Sequence, residues 1–177
     1  YRGYGKSEGA PSEQGMYADG RAALEYLQQV AGFSREHTFV LGRSIGSAIA
    51  VHIVQDEPIA GLILIAPLSN GRDMANHLGF GWLSWLFGHP FDSTTKISRV
   101  EAPTLFIHGD QDRVVPLELG RRLFETSPAE RKTFRAVSGA GHNDLISIAG
   151  PELWSWIREF MDAVADRSHS SATADEA

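Results

Sequence analysis

A chain of 177 residues is long enough for one domain with a sizeable core, and 42% hydrophobic against 21% charged residues is an ordinary globular balance. A net charge of -6 argues against a nucleic-acid role, which needs a basic face, and the absence of cysteine excludes disulfides and thiolate metal sites. No stretch approaches the ~20 apolar residues of a membrane span. A cysteine-free chain fits a reducing compartment, so a cytoplasmic location is expected. The chain starts at Tyr1 rather than at a methionine, so any leader or membrane anchor is expected only upstream of Tyr1.

Residues 1–15 are rich in Gly, Ser and Glu and read as loop. From about Met16 to Ala31, the residues Ala22, Ala23, Tyr26, Leu27 and Val30 recur at helical spacing and predict an amphipathic helix. Thr38 to Leu41 is a short apolar run ending at Gly42, which suits a buried strand. Gly46 to Gln55 is small and apolar and reads as a buried helix. Leu62 to Ile65 has no polar alternation, as a strand covered on both faces requires.

Residues 68–100 break this rhythm with Gly71, Gly79, Gly81, Gly88 and Pro90 beside Trp82, Trp85 and Phe87, and read as an irregular, partly helical insertion. Thr104 to Ile107 predicts a strand, Pro116 to about Thr126 a helix with Leu119, Leu123 and Phe124 on one side, and Thr133 to Val137 the last strand. Pro151 to about Asp166 predicts a helix with Leu153, Ile157, Phe160, Met161 and Val164 as its stripe. Ser168 to Ala177 reads as a frayed polar tail. Strands alternating with helices imply an α/β fold with a parallel sheet and right-handed crossovers.

The sharpest chemical signal is Gly42-Arg43-Ser44-Ile45-Gly46, between a buried strand and a small-residue helix. That context suits a nucleophile elbow, a strained turn that needs small residues two before and two after the serine. The turn would put the amide of Ile45 at a helix N-terminus, where it can stabilise an oxyanion. The bland alternative is a tight strand–helix turn with an unreactive serine.

A serine hydroxyl needs a base. Of seven histidines, His142 stands out, because Ser138 to Asp144 is a flexible loop after the last strand, on the crevice end of a parallel sheet. His108 reads as structural, and His37, His52, His77, His89 and His169 have no comparable setting. The base needs an acid to fix its tautomer. His108 to Pro116 offers Asp110 and Asp112, with Asp112 favoured as the acid and Asp110 as the turn former. The order Ser, Asp, His matches one of three known triad orders. Arg43 could reach the insertion or an acidic substrate group, with a structural ion pair the favoured reading. Gly3, Gly5 and Gly9 lack the Gly-Lys-Ser/Thr pattern of a phosphate loop.

These segments together resemble the α/β-hydrolase superfamily, in its branch of small abhydrolase-domain esterases and serine-peptidase-like hydrolases. Tyr1 to Gly9 is similar to the loop after the family's fourth strand, Gly42 to Ser47 to its elbow, Ile107 to Pro116 to its acid loop and Gly139 to His142 to its histidine loop. The resemblance implies a three-layer, mostly parallel sheet with helices on both faces, and a catalytic triad of Ser44, Asp112 and His142. It implies that residues 1–167 are the catalytic domain, with a short cap at about 68–100 and a disordered tail at 168–177.

It also implies that the N-terminal strands are missing, together with a second oxyanion donor. The strand ending at Gly42 is then expected to present a free edge. The expected activity is hydrolysis of an ester, thioester or amide through an acyl-enzyme, with no cofactor, no metal and a small-molecule acyl substrate. Trp82, Trp85 and Phe87 are candidates for a lid that lines its pocket or for a membrane-surface contact, with ordinary packing of the insertion as the alternative. The alternatives are a peptidase or acyl-peptide hydrolase, and a non-catalytic fragment that serves as a binding domain.

Overall fold

A computed structural model describes the backbone of residues 1–73 and 90–174 and the side chains through Asp166. The candidate pocket residues Trp82, Trp85 and Phe87 lie outside the described residues, as do His77, His89 and the His169 side chain.

Helix α1 spans Glu13–Gln29 and starts where the Ser12 side chain accepts from the Gly15 amide at 3.1 Å, satisfying a donor that the helix leaves open. A short 3₁₀ turn at Arg35–His37 leads into β1, Phe39–Arg43. Helix α2 is Ile45–Val54, β2 is Gly61–Ile65, and α3 is Ser93–Ile97. Then follow β3 at Thr104–Gly109, α4 at Leu117–Thr126, β4 at Lys132–Val137 and α5 at Leu145–Ala174. Each expected strand and helix outside the insertion is present, all but the last helix within a few residues of the expected bounds.

The four strands pair in the order β1-β2-β3-β4, all parallel. Leu62, Leu64 and Phe106 face one side, where they meet Ile49 and Val54 of α2, Met16 and Tyr17 of α1, Ile97 of α3 and Leu123 of α4. Ile63, Ile65, Leu105 and Ile107 face the other, against Leu145, Leu153 and Ile157 of α5. The three layers follow from strands that are apolar on both faces.

Three details differ from the sequence reading. The apolar stripe of α1 is turned outward: Ala22, Ala23, Tyr26, Leu27 and Val30 are exposed, while Gly15, Met16, Tyr17 and Leu24 are buried. The reason is Gly20, where a Cβ would stand 2.8 Å from Ile49 Cγ2, so α1 crosses α2 closely on its small-residue side. Next, α5 does not begin at Pro151. It starts at Leu145, breaks at Gly150, whose φ is 53°, and resumes at Pro151. Its backbone also runs on to Ala174, past the expected end near Asp166. Last, β1 is not the buried strand that its apolar run suggests, since Leu41 is 49% exposed, whereas its pairing with β2 alone among the described residues agrees with the free edge expected of it. No helix among the described residues is long and apolar enough to cross a membrane.

Candidate active site

Three segments converge at the C-terminal end of the sheet, where parallel strands open a crevice. Ser44 sits between β1 and α2 with φ 54° and ψ -125°, a region that an ordinary side chain adopts only under constraint. The constraint is visible. The Ser44 amide donates to the Ile65 carbonyl at 2.9 Å, and its own carbonyl accepts from the Ser47 amide at 2.9 Å. Gly42 is required, because a Cβ there would come within 2.5 Å of the Gly46 oxygen and 2.7 Å of Ser47 Cα. Gly46 is not required among the described residues: a Cβ there would meet only Tyr1 Oη, at 3.6 Å. Both positions are small, as expected, and of the two it is Gly42 that leaves no room for a Cβ among the described residues. Ile45 opens α2, and a first-turn amide has no acceptor inside its own helix.

His142 lies in the loop between β4 and α5, 98 residues from Ser44 in sequence, yet its Nε2 stands 2.9 Å from Ser44 Oγ. Its Nδ1 is 2.7 Å from Oδ2 of Asp112. The structure therefore brings Ser44, His142 and Asp112 into one hydrogen-bonded line.

Asp112 is buried, while Asp110 is exposed. Oδ1 of Asp112 accepts the amides of Val114 at 2.9 Å and Val115 at 2.7 Å, so the acid also closes its own turn. Asp110 does something else: its Oδ1 accepts the Gly139 amide at 2.8 Å and ties the acid loop to the histidine loop. The turn-forming role expected of Asp110 belongs to Asp112. Burial pushes the Asp112 carboxyl up, but the nearby His108 ring and the hydrogen bonds of His142 and the Val115 amide outweigh it and bring it down to about 2.

His108 is structural as expected. It is fully buried, with Nε2 2.8 Å from the Val115 carbonyl and 3.6 Å from Asp112 Oδ2. Elsewhere, His52 stacks on Tyr17 with ring centroids 3.7 Å apart, and His37 pairs with the Ser34 hydroxyl at 2.7 Å. Arg43 makes a contact that the sequence reading missed. Among the described residues it makes no ion pair, and its Nη2 donates to the His142 carbonyl at 2.8 Å. No local pattern signals a contact across 99 residues. Among the described residues no group of His, Asp and Glu side chains is arranged to hold a metal ion.

A family model described as serine aminopeptidase, S33, matches residues 1–96. An uncharacterized protein of Mycobacterium tuberculosis is 37% identical over 166 residues, which are 93% of this chain and 59% of that protein. The alpha/beta hydrolase domain-containing protein aho-3 of Caenorhabditis elegans is 38% identical over 145 residues, 82% of this chain and 42% of that protein. The chain thus spans about half the length of the curated relatives it matches. Its fold is also that of an esterase from Pyrococcus furiosus, with a TM-score of 0.75 at 20% identity, covering 92% of this chain and 68% of that one.

Proposed function

The chain belongs to the α/β-hydrolase superfamily, and from that premise we propose that residues 1–167 are the catalytic part of a serine hydrolase that cleaves a carboxylic ester, or a thioester or amide, through an acyl-enzyme. The observation that carries this reading is the line from Ser44 Oγ to His142 Nε2 to Asp112 Oδ2, with separations of 2.9 and 2.7 Å, on a serine held at φ 54°.

Asp112, ionised well below neutral pH, accepts Nδ1–H of His142 and so leaves Nε2 free to take a proton. Ser44 Oγ attacks the substrate carbonyl as its proton passes to Nε2. The carbonyl oxygen becomes an oxyanion, for which the Ile45 amide at the head of α2 is one donor. The tetrahedral intermediate collapses, Nε2–H protonates the leaving oxygen, sulfur or nitrogen, and the acyl group stays on Oγ. Water, deprotonated by the same Nε2, then releases the acid and restores the serine. The chemistry uses no cofactor. Ile45 and Val114 present exposed apolar side chains beside the triad, which favours an apolar acyl or alcohol group.

A peptidase reading has its own support in the serine aminopeptidase description of the family model. A chromogenic ester and an aminoacyl nitroanilide, compared on the intact protein, separate the two by their kcat/KM. The serine hydrolase reading itself is tested with a fluorophosphonate probe. Labelling at Ser44, lost in Ser44→Ala and slowed in His142→Ala, is expected. An intact, folded protein that the probe leaves unmodified at Ser44 would turn the reading towards a non-catalytic binding domain.

A further inference from the structure

The loop that carries His142 is poorly determined by its own residues. Gly139 holds φ at 75°, Gly141 follows two residues later, and the neighbouring side chains Asn143 and Asp144 are exposed. Such a segment needs outside braces to hold an imidazole to within a few tenths of an ångström. Three braces are supplied by the acid loop or by the segment itself. Asp110 accepts the Gly139 amide at 2.8 Å, the Gln111 amide donates to the Ala140 carbonyl at 2.9 Å, and Asp144 accepts the Gly141 amide at 2.7 Å. These fix His142 against Asp112. None of them reaches the strand that carries the nucleophile.

Arg43 does. It is the last residue of β1 and the residue immediately before Ser44, and it is fixed in the sheet opposite Ile65 of β2. Its Nη2 donates to the carbonyl of His142 itself at 2.8 Å. Its Nε is buried with no hydrogen-bond partner among the described residues. A buried, unpaired guanidinium N–H is unfavourable, and a side chain chosen for packing alone would not carry one here. Lysine-like flexibility is also absent, since the guanidinium is a planar fork that loses less freedom per hydrogen bond.

We infer that Arg43 is a positioning residue, which sets the Ser44 Oγ to His142 Nε2 distance by tying the backbone of the base to the backbone of the nucleophile. This rests on the serine hydrolase reading above. The two ends of the triad are then held by different devices: acid to base by the Asp110 and Gln111 contacts, base to nucleophile by Arg43. Because the Nη2 hydrogen bond goes to a main-chain carbonyl, the side chain acts through His142 and does not touch the reacting atoms. A misplacement of about 1 Å in a catalytic pair lowers turnover on the order of 10²-fold.

The test uses the intact protein, with Arg43→Met to remove the donor while keeping an unbranched apolar stem, and Arg43→Lys to restore a donor on a similar reach. Turnover of a chromogenic ester is expressed per serine titrated to completion with a fluorophosphonate, so that unfolded molecules do not count. Arg43→Met is expected to lower kcat per titrated serine about 10- to 100-fold, with KM within about twofold and a melting temperature shifted by no more than about 3 °C. Arg43→Lys is expected to recover part of that loss. The inference is overturned by an unchanged kcat per titrated serine, by a raised KM at constant kcat, or by a lysine variant no better than the methionine one. If the unmodified protein itself shows no turnover that depends on Ser44, the serine hydrolase reading fails first, and this inference falls with it.

Discussion

The acid and histidine loops at one end of the sheet and the α1–β1 flank at the other are built to different degrees of completion. Around Asp112 both carboxylate oxygens have partners, and the packing beneath, Val115, Leu145 and Leu153, is fully buried. Along the flank, Val30 is 67% exposed, Phe33 60% and Tyr26 59%, and β1 has a paired neighbour on one side only among the described residues. Ser44 stands at the border. Its amide is held by Ile65 of β2 and its neighbour Arg43 by the histidine loop, so the strain at Ser44 is contained from the finished side. Asp112, His142 and Ser44 are therefore aligned by contacts that do not pass through the open flank.

That contrast is sharpest if each residue of the finished side fails in its own way. The largest effect belongs to Ser44. Ser44→Ala should lower ester hydrolysis on the order of 10⁶-fold, with folding nearly unchanged, when kcat/KM and thermal melts are compared in the intact protein. A loss of less than tenfold would remove Ser44 from the chemistry.

Next come the two carboxylates of one turn. Asp112→Asn should cost about 10⁴ in kcat, because an amide at Oδ2 favours the wrong imidazole tautomer. Asp110→Asn touches one exposed hydrogen bond to Gly139 and should cost less than about tenfold, the equivalent of roughly 1 kcal/mol. Reversed effects would exchange the two roles.

Asp112 also sets a pH dependence. Its carboxyl lies at about 2 in the folded protein against 3.8 for the free group. A folded value below the unfolded one means that the ionised form favours folding. This stability is fully present above about pH 4 and is lost as pH falls through about 2. Equilibrium unfolding of the parent and of Asp112→Asn, followed from pH 5 to pH 2, should show the parent losing its advantage on the way down. Parallel curves would assign the acid sensitivity to other groups.

The residues differ in how far their roles could be read from the sequence, and the range of each interaction explains why. Ser44 was legible because an elbow is a local object: a strand, a tight turn with Gly42, and a helix within a few residues. The approach of His142 to Ser44 is legible from its position after the last strand. Asp110 and Asp112 were harder to separate, since both could close the turn. The structure distinguishes them by direction: Asp112 faces inward onto the Val114 and Val115 amides, and Asp110 faces out. The Arg43 contact joins residues 99 apart and leaves no trace in any local pattern. The outward turn of α1 was misread for another reason. Its packing face centres on Gly20, and a glycine that permits a close helix crossing adds nothing to a hydrophobic pattern, whereas Tyr26, Leu27 and Val30 add much.

The smallest expected effect lies on the open flank. Leu41 points out of β1 and is 49% exposed, beside Val40 and the small residues Gly20 and Ala23 of α1, which line a shallow groove with Ile49 and Ile53. An exposed apolar strand edge is a template for pairing with another chain, and a lysine on such an edge blocks that pairing through its charge. A substitution at a half-exposed site without partners changes stability by about 0.5 kcal/mol or less. In residues 1–177 expressed alone, Leu41→Lys should therefore leave the melting temperature nearly unchanged while reducing self-association, as measured by sedimentation velocity over a concentration series. The same substitution in the intact protein discriminates further. If β1 gains a second neighbour there, Leu41 becomes buried, and lysine should destabilise by far more than on the isolated residues, since burying an unpaired ammonium is costly. Equal melting shifts in the two contexts would mean that Leu41 meets the same surroundings in both, and that the contrast between the braced end and the open flank belongs to the protein itself.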